Sequence, residues 1–182
     1  ITDRFASLLV KKNSDGTPTK QKHPRLLPLL CFIEVWERFG FYLMIALFVI
    51  YLKEKHGFTE DSANFIYGNF NALIYLTPLL GGWLADRFLG FYRCTLIGLA
   101  LMGLGYHFMG GAGTHTVVYA SMALIIFGNG FFKPNMSTLV GNLYMKGDPR
   151  RDEGFSKFYV GINAGAFGSG LVADFGRTLL GL

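Results

Sequence analysis

Residues 26–52 read LLPLLCFIEVWERFGFYLMIALFVIYL, an apolar run broken only by Glu34, Glu37 and Arg38. About 20 mostly apolar residues suffice for a helix to cross a bilayer, so the stretch reads as a transmembrane helix with three charges inside it. At about 3.6 residues per turn, Glu34 and Arg38 lie one turn apart on one face, with Glu37 beside them. Each charge would cost about 2.5–3.5 kcal/mol at the centre of a lipid-facing helix. Three are sustainable only if they turn into protein and find partners. One reading is a structural ion-pair network. The other is a site for protons and substrate, because a carboxylate whose pKa depends on a neighbouring cation can load and release a proton.

The rest of the chain supports lipid as the main solvent. Its 182 residues are 51% hydrophobic and 16% charged, with 24 glycines and 18 phenylalanines, where a soluble domain carries roughly 25% charged residues. Long apolar runs without short alternating strands predict helices rather than a barrel. Four further spans are expected over about 63–84, 94–111, 117–143 and 155–171 or beyond. Asp174 and Arg177 interrupt the last, leaving it marginal in length. Short connections make consecutive helices antiparallel neighbours. The expected fold is an all-α membrane protein of about five transmembrane helices.

The formal charge of +5 is distributed as a topology signal. Lys11, Lys12, Lys20, Lys22 and Arg25 precede the first run, Arg87 and Arg93 follow the second, and Lys146, Arg150, Arg151 and Lys157 follow the fourth. Basic residues in alternate loops place those loops inside, so the N-terminus is expected in the cytoplasm and nucleic acid is not a partner. Residues 1–25 form a cytoplasmic tail, and Ala6 to Val10 is too short to be a signal-peptide core. Lys53 to Ser62 and Gly110 to Thr116 then face the opposite side. Cys31 and Cys94 fall in apolar stretches and form no Cys-x-x-Cys pair, so no metal or disulfide framework is expected. His107, alone in the third span, reads as hydrogen-bonded or interfacial rather than as a ligand for haem or another metal. No nucleophile, base and orienter spacing is visible, so an enzyme is not expected and no cofactor is called for.

A further charge expected to be buried is Lys133, in Phe127-Gly128-Asn129-Gly130-Phe131-Phe132-Lys133-Pro134-Asn135. Pro134 removes one backbone hydrogen bond, while Gly128 and Gly130 permit close helix approach. Lys133 suits partnership with Glu34 or Glu37: protonating the carboxylate would break the pair and deprotonation restore it. No Gly-Lys-Ser/Thr sequence is present, so this is not a phosphate loop.

Glu34-Val35-Trp36-Glu37-Arg38-Phe39-Gly40-Phe41-Tyr42 resembles the first-helix signature of the proton-dependent oligopeptide transporter family, within the major facilitator superfamily. Gly81 to Gly90 (GGWLADRFLG) is similar to that family's loop between helices two and three. Gly128 to Gly141 is similar to its fourth helix, and Phe158 to Phe167 (FYVGINAGAF) to its fifth. The resemblance implies that Glu34, Glu37, Arg38 and Lys133 form a proton-coupling cluster. It implies that Tyr42, Tyr75 and Asn163 line a peptide site, and that Asp86 and Arg87 belong to a cytoplasmic gate loop. Phe41 and Ile45 depart from the family pattern: a hydroxyl is missing at the first, and the second stands where many members carry an arginine for a peptide carboxylate. After Phe167, Gly168 to Asp174 lacks the family's proline-containing continuation.

Such carriers have two six-helix halves with the site between them, and residues 26–182 supply about five helices of the first, with the second half absent. The expected function is a proton-coupled symporter of di- and tripeptides or related small solutes, present as a fragment or truncated form, in a plasma or inner membrane. Its partners would be protons, small peptides, the bilayer, and the missing C-terminal half or other membrane subunits. The alternative is a non-transporting structural subunit of a larger membrane complex.

Overall fold

The computed structural model describes residues 22–180, so nearly all of the expected tail, with Lys11, Lys12 and Lys20, lies outside the described residues. Five α-helices follow in order: α1 Leu27–His56, α2 Glu60–Leu84, α3 Phe91–Gly110, α4 His115–Asn142 and α5 Arg151–Leu180. A π-helical turn, Ala85–Leu89, joins α2 to the loop before α3, and no strand occurs among the described residues. The helices run from 20 to 30 residues, so at about 1.5 Å per residue even the shortest reaches about 30 Å, the thickness of a hydrocarbon core. By length and composition, α1 and α4 are apolar enough to cross a membrane. Polar positions within the helices dilute the other three: Asn69 and Asn71 in α2, Arg93 and His107 in α3, and Asn163 and Asp174 in α5.

Local chemistry sets the ends, and several differ from the sequence expectation. The loop expected over Lys53 to Ser62 shrinks to 57–59, because α1 continues to His56 and Thr59 caps α2 by accepting from the Ser62 N–H at 3.4 Å. Gly57, at φ 69°, turns the chain out of α1 in the left-handed region that glycine favours. Asp86 and Arg87 lie in the π-helical turn rather than an irregular loop, and Gly90 at φ 77° ends it. Asp174 and Arg177 do not interrupt the fifth helix. Thr178 donates to the Asp174 carbonyl at 3.0 Å, and Arg177 donates to the Ala46 carbonyl of α1. A cation in a last turn also complements the helix dipole, which is why the charge is tolerated there.

The chain divides into two compact units. The first contains the residues up to Tyr42 with Val140–Val172, hence the start of α1 and most of α5. In it Gly161, Gly165 and Gly168 form a ridge on α5. A Cβ on Gly165 would lie 3.0 Å from Arg38 Cβ and 3.1 Å from the Phe39 nitrogen, and one on Gly161 would lie 3.4 Å from the Cys31 carbonyl oxygen. Later residues of α5 meet later residues of α1, so these segments run parallel at backbone distance, as small residues allow in membrane helices.

The connection before α5 is tied by polar contacts. Arg150 holds Asp148 through Nε and Nη2, at 2.9 and 2.6 Å, and Nη1 donates to the Lys22 carbonyl at 2.8 Å. His23 shares a 2.9 Å hydrogen bond with the Tyr144 hydroxyl and lies 3.3 Å from Glu153, which also takes Lys157 at 2.8 Å. The hydrogen bond from Arg150 holds the Asp148 carboxyl below its ordinary value, against a smaller opposing push from burial. A carboxyl depressed in the folded state stabilises above its unfolded value and loses that contribution as pH falls through the folded one. The Arg150 backbone N–H also donates to Asp148 Oδ1 at 2.9 Å, so acidification below about pH 4, the ordinary carboxylate value, should deprotect that amide. Hydrogen exchange corrected for intrinsic rate checks this, and Asp148→Asn should show the same loss at neutral pH.

The second unit contains Leu43–Leu139 and the residues from Ala173, with α4 between α2 and α3. Gly128 faces α3: its Cβ would lie 2.8 Å from both the Gly98 carbonyl oxygen and the Met102 nitrogen. Gly130 faces α2, where its Cβ would lie 2.7 Å from Thr77 Cβ. The expected close approach at these two glycines is thus observed, on opposite sides of α4. Pro134 has no N–H for the Gly130 carbonyl, and Gly81 of α2 packs against that same carbonyl. The helix continues through the proline, helped by Asn135 donating to the Phe131 carbonyl at 2.7 Å and Thr138 to the Pro134 carbonyl at 3.0 Å. Phe48 and Phe70, both buried, pack α1 on α2 with ring centroids 5.3 Å apart. Outward positions are also apolar, among them Phe65, Leu79 and Phe127 here and Phe32, Trp36 and Phe167 in the first unit. So much exposed apolar surface suits lipid or further helices rather than water.

Candidate functional site

In the first unit, α1 carries the buried charges. Glu34, Glu37 and Arg38 are 5%, 7% and 3% exposed, although each belongs to a residue type that is seldom buried unless paired. Arg38 Nη2 donates to Glu37 Oε1 at 2.6 Å, Nε donates to Glu37 Oε2, and Nε lies 3.5 Å from Glu34 Oε1 one turn back. One guanidinium thus serves two carboxylates, holding the nearer with two parallel bonds, the strongest arrangement open to this pair. The Phe41 ring covers the other side of the cation, 4.9 Å from Arg38 Cζ. Gly165 makes the burial possible, since the α5 backbone approaches α1 beside Arg38 and Phe39 only where no side chain intervenes. Tyr42 and Asn163 are exposed positions of this unit, and the Tyr42 ring packs edge-on against Phe41 at 5.5 Å.

In the second unit, Lys133 is exposed rather than buried. Its ammonium lies 5.3 Å from the centroid of the Tyr75 ring, itself 71% exposed, within the range of a cation–π contact. Apolar neighbours in sequence did not reveal this, because an apolar helix gives no contrast between its packed face and its open one. The packed face is taken by Phe132, Asn135 and Met136. Asp86 and Arg87 are exposed on the π-helical turn, with Arg87 Cζ 6.0 Å from the Phe88 ring.

Three buried polar residues escaped the sequence reading of function. Thr77 donates to the Ile126 carbonyl at 3.0 Å, and Asn135 reaches Gly81 of α2 at 3.4 Å, so both tie α2 to α4. Asn129 is fully buried, and neither carboxamide atom meets a protein hydrogen-bond partner among the described residues. The signal for all three was a polar side chain within an apolar run, weaker than that of a formal charge. Among the described residues no three His, Cys, Asp or Glu side chains converge as a metal site would require.

Residues 92–174 match the POT family. The chain is 40% identical over 147 residues to dipeptide and tripeptide permease A of Edwardsiella piscicida, an alignment covering 80% of this chain and 30% of that protein. It is 43% identical over 148 residues to the uncharacterized transporter YclF of Bacillus subtilis, covering 79% of this chain and 30% of that protein. The chain thus spans about a third of the length of the curated relatives it matches. Among solved structures it resembles a peptide transporter POT in complex with sulfate, with TM-score 0.81, 38% identity, and coverage of 97% of this chain and 36% of that one. A POT family transporter in complex with a thioalcohol-conjugated peptide gives TM-score 0.78 and 34% identity, covering 92% of this chain and 34% of that one. The four motifs and the five-helix, all-α architecture agree with these likenesses, and the matched relatives are permeases and transporters rather than enzymes. Over residues 92–174 this chain matches the POT family, and its five helices are similar to the N-terminal bundle of solved POT transporters.

Proposed function

We propose that the chain contributes the proton-coupling bundle of a symporter for di- and tripeptides or a related small solute. The observation carrying this reading is the buried Glu34–Glu37–Arg38 cluster, in a chain related to permeases of di- and tripeptides. A carboxylate held by a guanidinium stays ionised until something competes for the cation, and its proton affinity then rises. Glu37 would be the proton carrier and Arg38 the cation that sets its affinity. Glu34 would be the second carboxylate of the cluster and Lys133 its second cation. Tyr42, Tyr75 and Asn163 would contact solute, while Asp86 and Arg87 would belong to the cytoplasmic gate. The N-terminus would be cytoplasmic in a plasma or inner membrane, as the basic segments at Lys22 to Arg25 and Lys146 to Lys157 favour. With Ile45 in place of a cation and Phe41 committed to Arg38, solute recognition would lean on tyrosines and amides.

Uptake of a labelled dipeptide by liposomes holding the complete protein, with the outside acidified, tests the reading. Uptake should follow the proton gradient, and equal uptake with and without one would remove proton coupling. Glu37→Gln should reduce proton-driven uptake by at least about 100-fold, at the low end of what a positioned proton-transfer group contributes, while sparing downhill exchange. Lys133→Ala should lose both. Tyr75→Phe keeps the ring beneath Lys133 and should change mainly KM, whereas Tyr75→Leu should also move the pH profile.

A further inference from the structure

The polar ties before α5 leave an unbalanced set of charges. In the first unit the described carboxylates outside the α1 cluster are Asp148, Asp152 and Glu153. Asp148 is held by Arg150, and Glu153 is shared by Lys157 and His23. Asp152 is exposed. Against it stand Lys22, Arg25, Lys146 and Arg151, all exposed. These cations are set on a fixed platform. Arg150 bonds the Lys22 carbonyl, His23 bonds Tyr144, and Gly154 leaves no room for a Cβ, which would lie 2.5 Å from Tyr144 Cζ. The excess charge is therefore presented in a defined arrangement.

Apolar side chains are interleaved with it. Met145, beside Lys146, is 76% exposed, and Leu26 and Leu29, beside Arg25, are more than half exposed. A solvated basic face gains nothing from exposed Met and Leu. A face at the edge of hydrocarbon gains from both, since the apolar groups enter the acyl region while the cations stay at headgroup level.

We infer that Lys22, Arg25, Lys146 and Arg151, with Met145 and Leu26 next to two of them in the chain, form a docking surface for anionic phospholipid headgroups. This surface is independent of the transport reading. It takes the phosphate of a bilayer lipid such as phosphatidylglycerol, with the acyl chains lying along the exposed leucines and methionine. Each cation near an anionic surface contributes roughly a five-fold preference for the charged lipid, and salt screens it.

The test is the composition of the lipid shell. The chain is reconstituted in vesicles of phosphatidylcholine and phosphatidylglycerol in equal parts and cut out in polymer nanodiscs, and the retained lipid is quantified. Phosphatidylglycerol should be enriched at least about three-fold over the bulk ratio at low salt, falling toward the bulk ratio at 1 M salt, where the Debye length is about 3 Å. The triple variant K22Q/K146Q/R151Q should lose most of the enrichment. The control K53Q/K55Q, at the other end of α1, should keep it. An unenriched wild type, a triple variant that keeps its enrichment, or a control that loses as much as the triple would each overturn the inference. Loss of enrichment on adding inorganic phosphate, but not chloride of equal ionic strength, would also overturn it by showing a free-phosphate site. Circular dichroism of both variants should match wild type, since Lys22, Lys55, Lys146 and Arg151 are exposed and Lys53 is half-buried at the surface.

Discussion

Arg38→Ala should lower the stability of the bundle by about 3–5 kcal/mol, the cost of breaking a buried ion pair from one side. The guanidinium is 3% exposed and serves both Glu34 and Glu37, themselves 5% and 7% exposed. Removing it strips two buried carboxylates of their shared cation, and the alanine also leaves a space beneath the Phe41 ring. Arg38→Lys keeps a positive charge but cannot hold Glu37 at two points, so its loss should be intermediate. Thermal or denaturant unfolding in detergent, followed by tryptophan fluorescence, measures both. Trp36 reports directly, since it lies in the same helix and packs edge-on against Phe39 at 5.7 Å. An Arg38→Ala protein as stable as wild type would refute the account of the cluster given above. Neutralising the whole cluster with apolar residues of similar volume should cost far less than removing Arg38 alone, because no buried charge is then left behind.

Gly81→Ala should destabilise by an amount at or above the upper end of the range for overpacking, about 1–3 kcal/mol. Its Cβ would meet the Gly130 carbonyl group, 2.6 Å from the carbon, and Phe131 Cα at 3.0 Å. These are backbone atoms of a long helix and cannot rotate aside as a side-chain tip can. Relief requires α2 and α4 to move apart, which stretches the Thr77–Ile126 and Asn135–Gly81 hydrogen bonds as well. Gly103→Ala is the internal control: nothing lies within 4 Å of its Cβ, and alanine favours a helix over glycine by about 1 kcal/mol. That variant should be as stable as wild type or more so. If both substitutions had the same effect, the close approach of α2 and α4 would not be what the glycine provides.

The all-helical architecture was legible because hydropathy and length act over whole segments and tolerate local noise. The charged face of α1 was legible for a sharper reason. Three formal charges in hydrocarbon have few tolerable positions, so their burial followed from cost alone. Gly128 and Gly130 were read correctly as points of close approach, because a glycine pair within an apolar helix has little other use there. Lys133 was expected to be buried and is exposed: its cost in lipid requires polar surroundings but does not say on which face, and the Tyr75 ring is one contact it makes there. Helix ends were missed where short-range chemistry outweighed composition, as with the Thr59 cap, the π-helical turn carrying Asp86 and Arg87, and the continuation of α5 past Asp174. Asn129 showed only as one more polar letter, since the absence of partners is a property of its surroundings rather than of its type.

The glycine-faced α4 has a mechanical consequence. Most packed helices interlock like cogs, and turning one lifts every tooth out of its gap. At Gly128 and Gly130, α4 meets its two neighbours on smooth backbone, and the proline-freed carbonyl between α4 and α2 has no intrahelical bond to lose. At these two points α4 carries no tooth, so what resists its turning on the α2 side is the pair of hydrogen bonds Thr77–Ile126 and Asn135–Gly81.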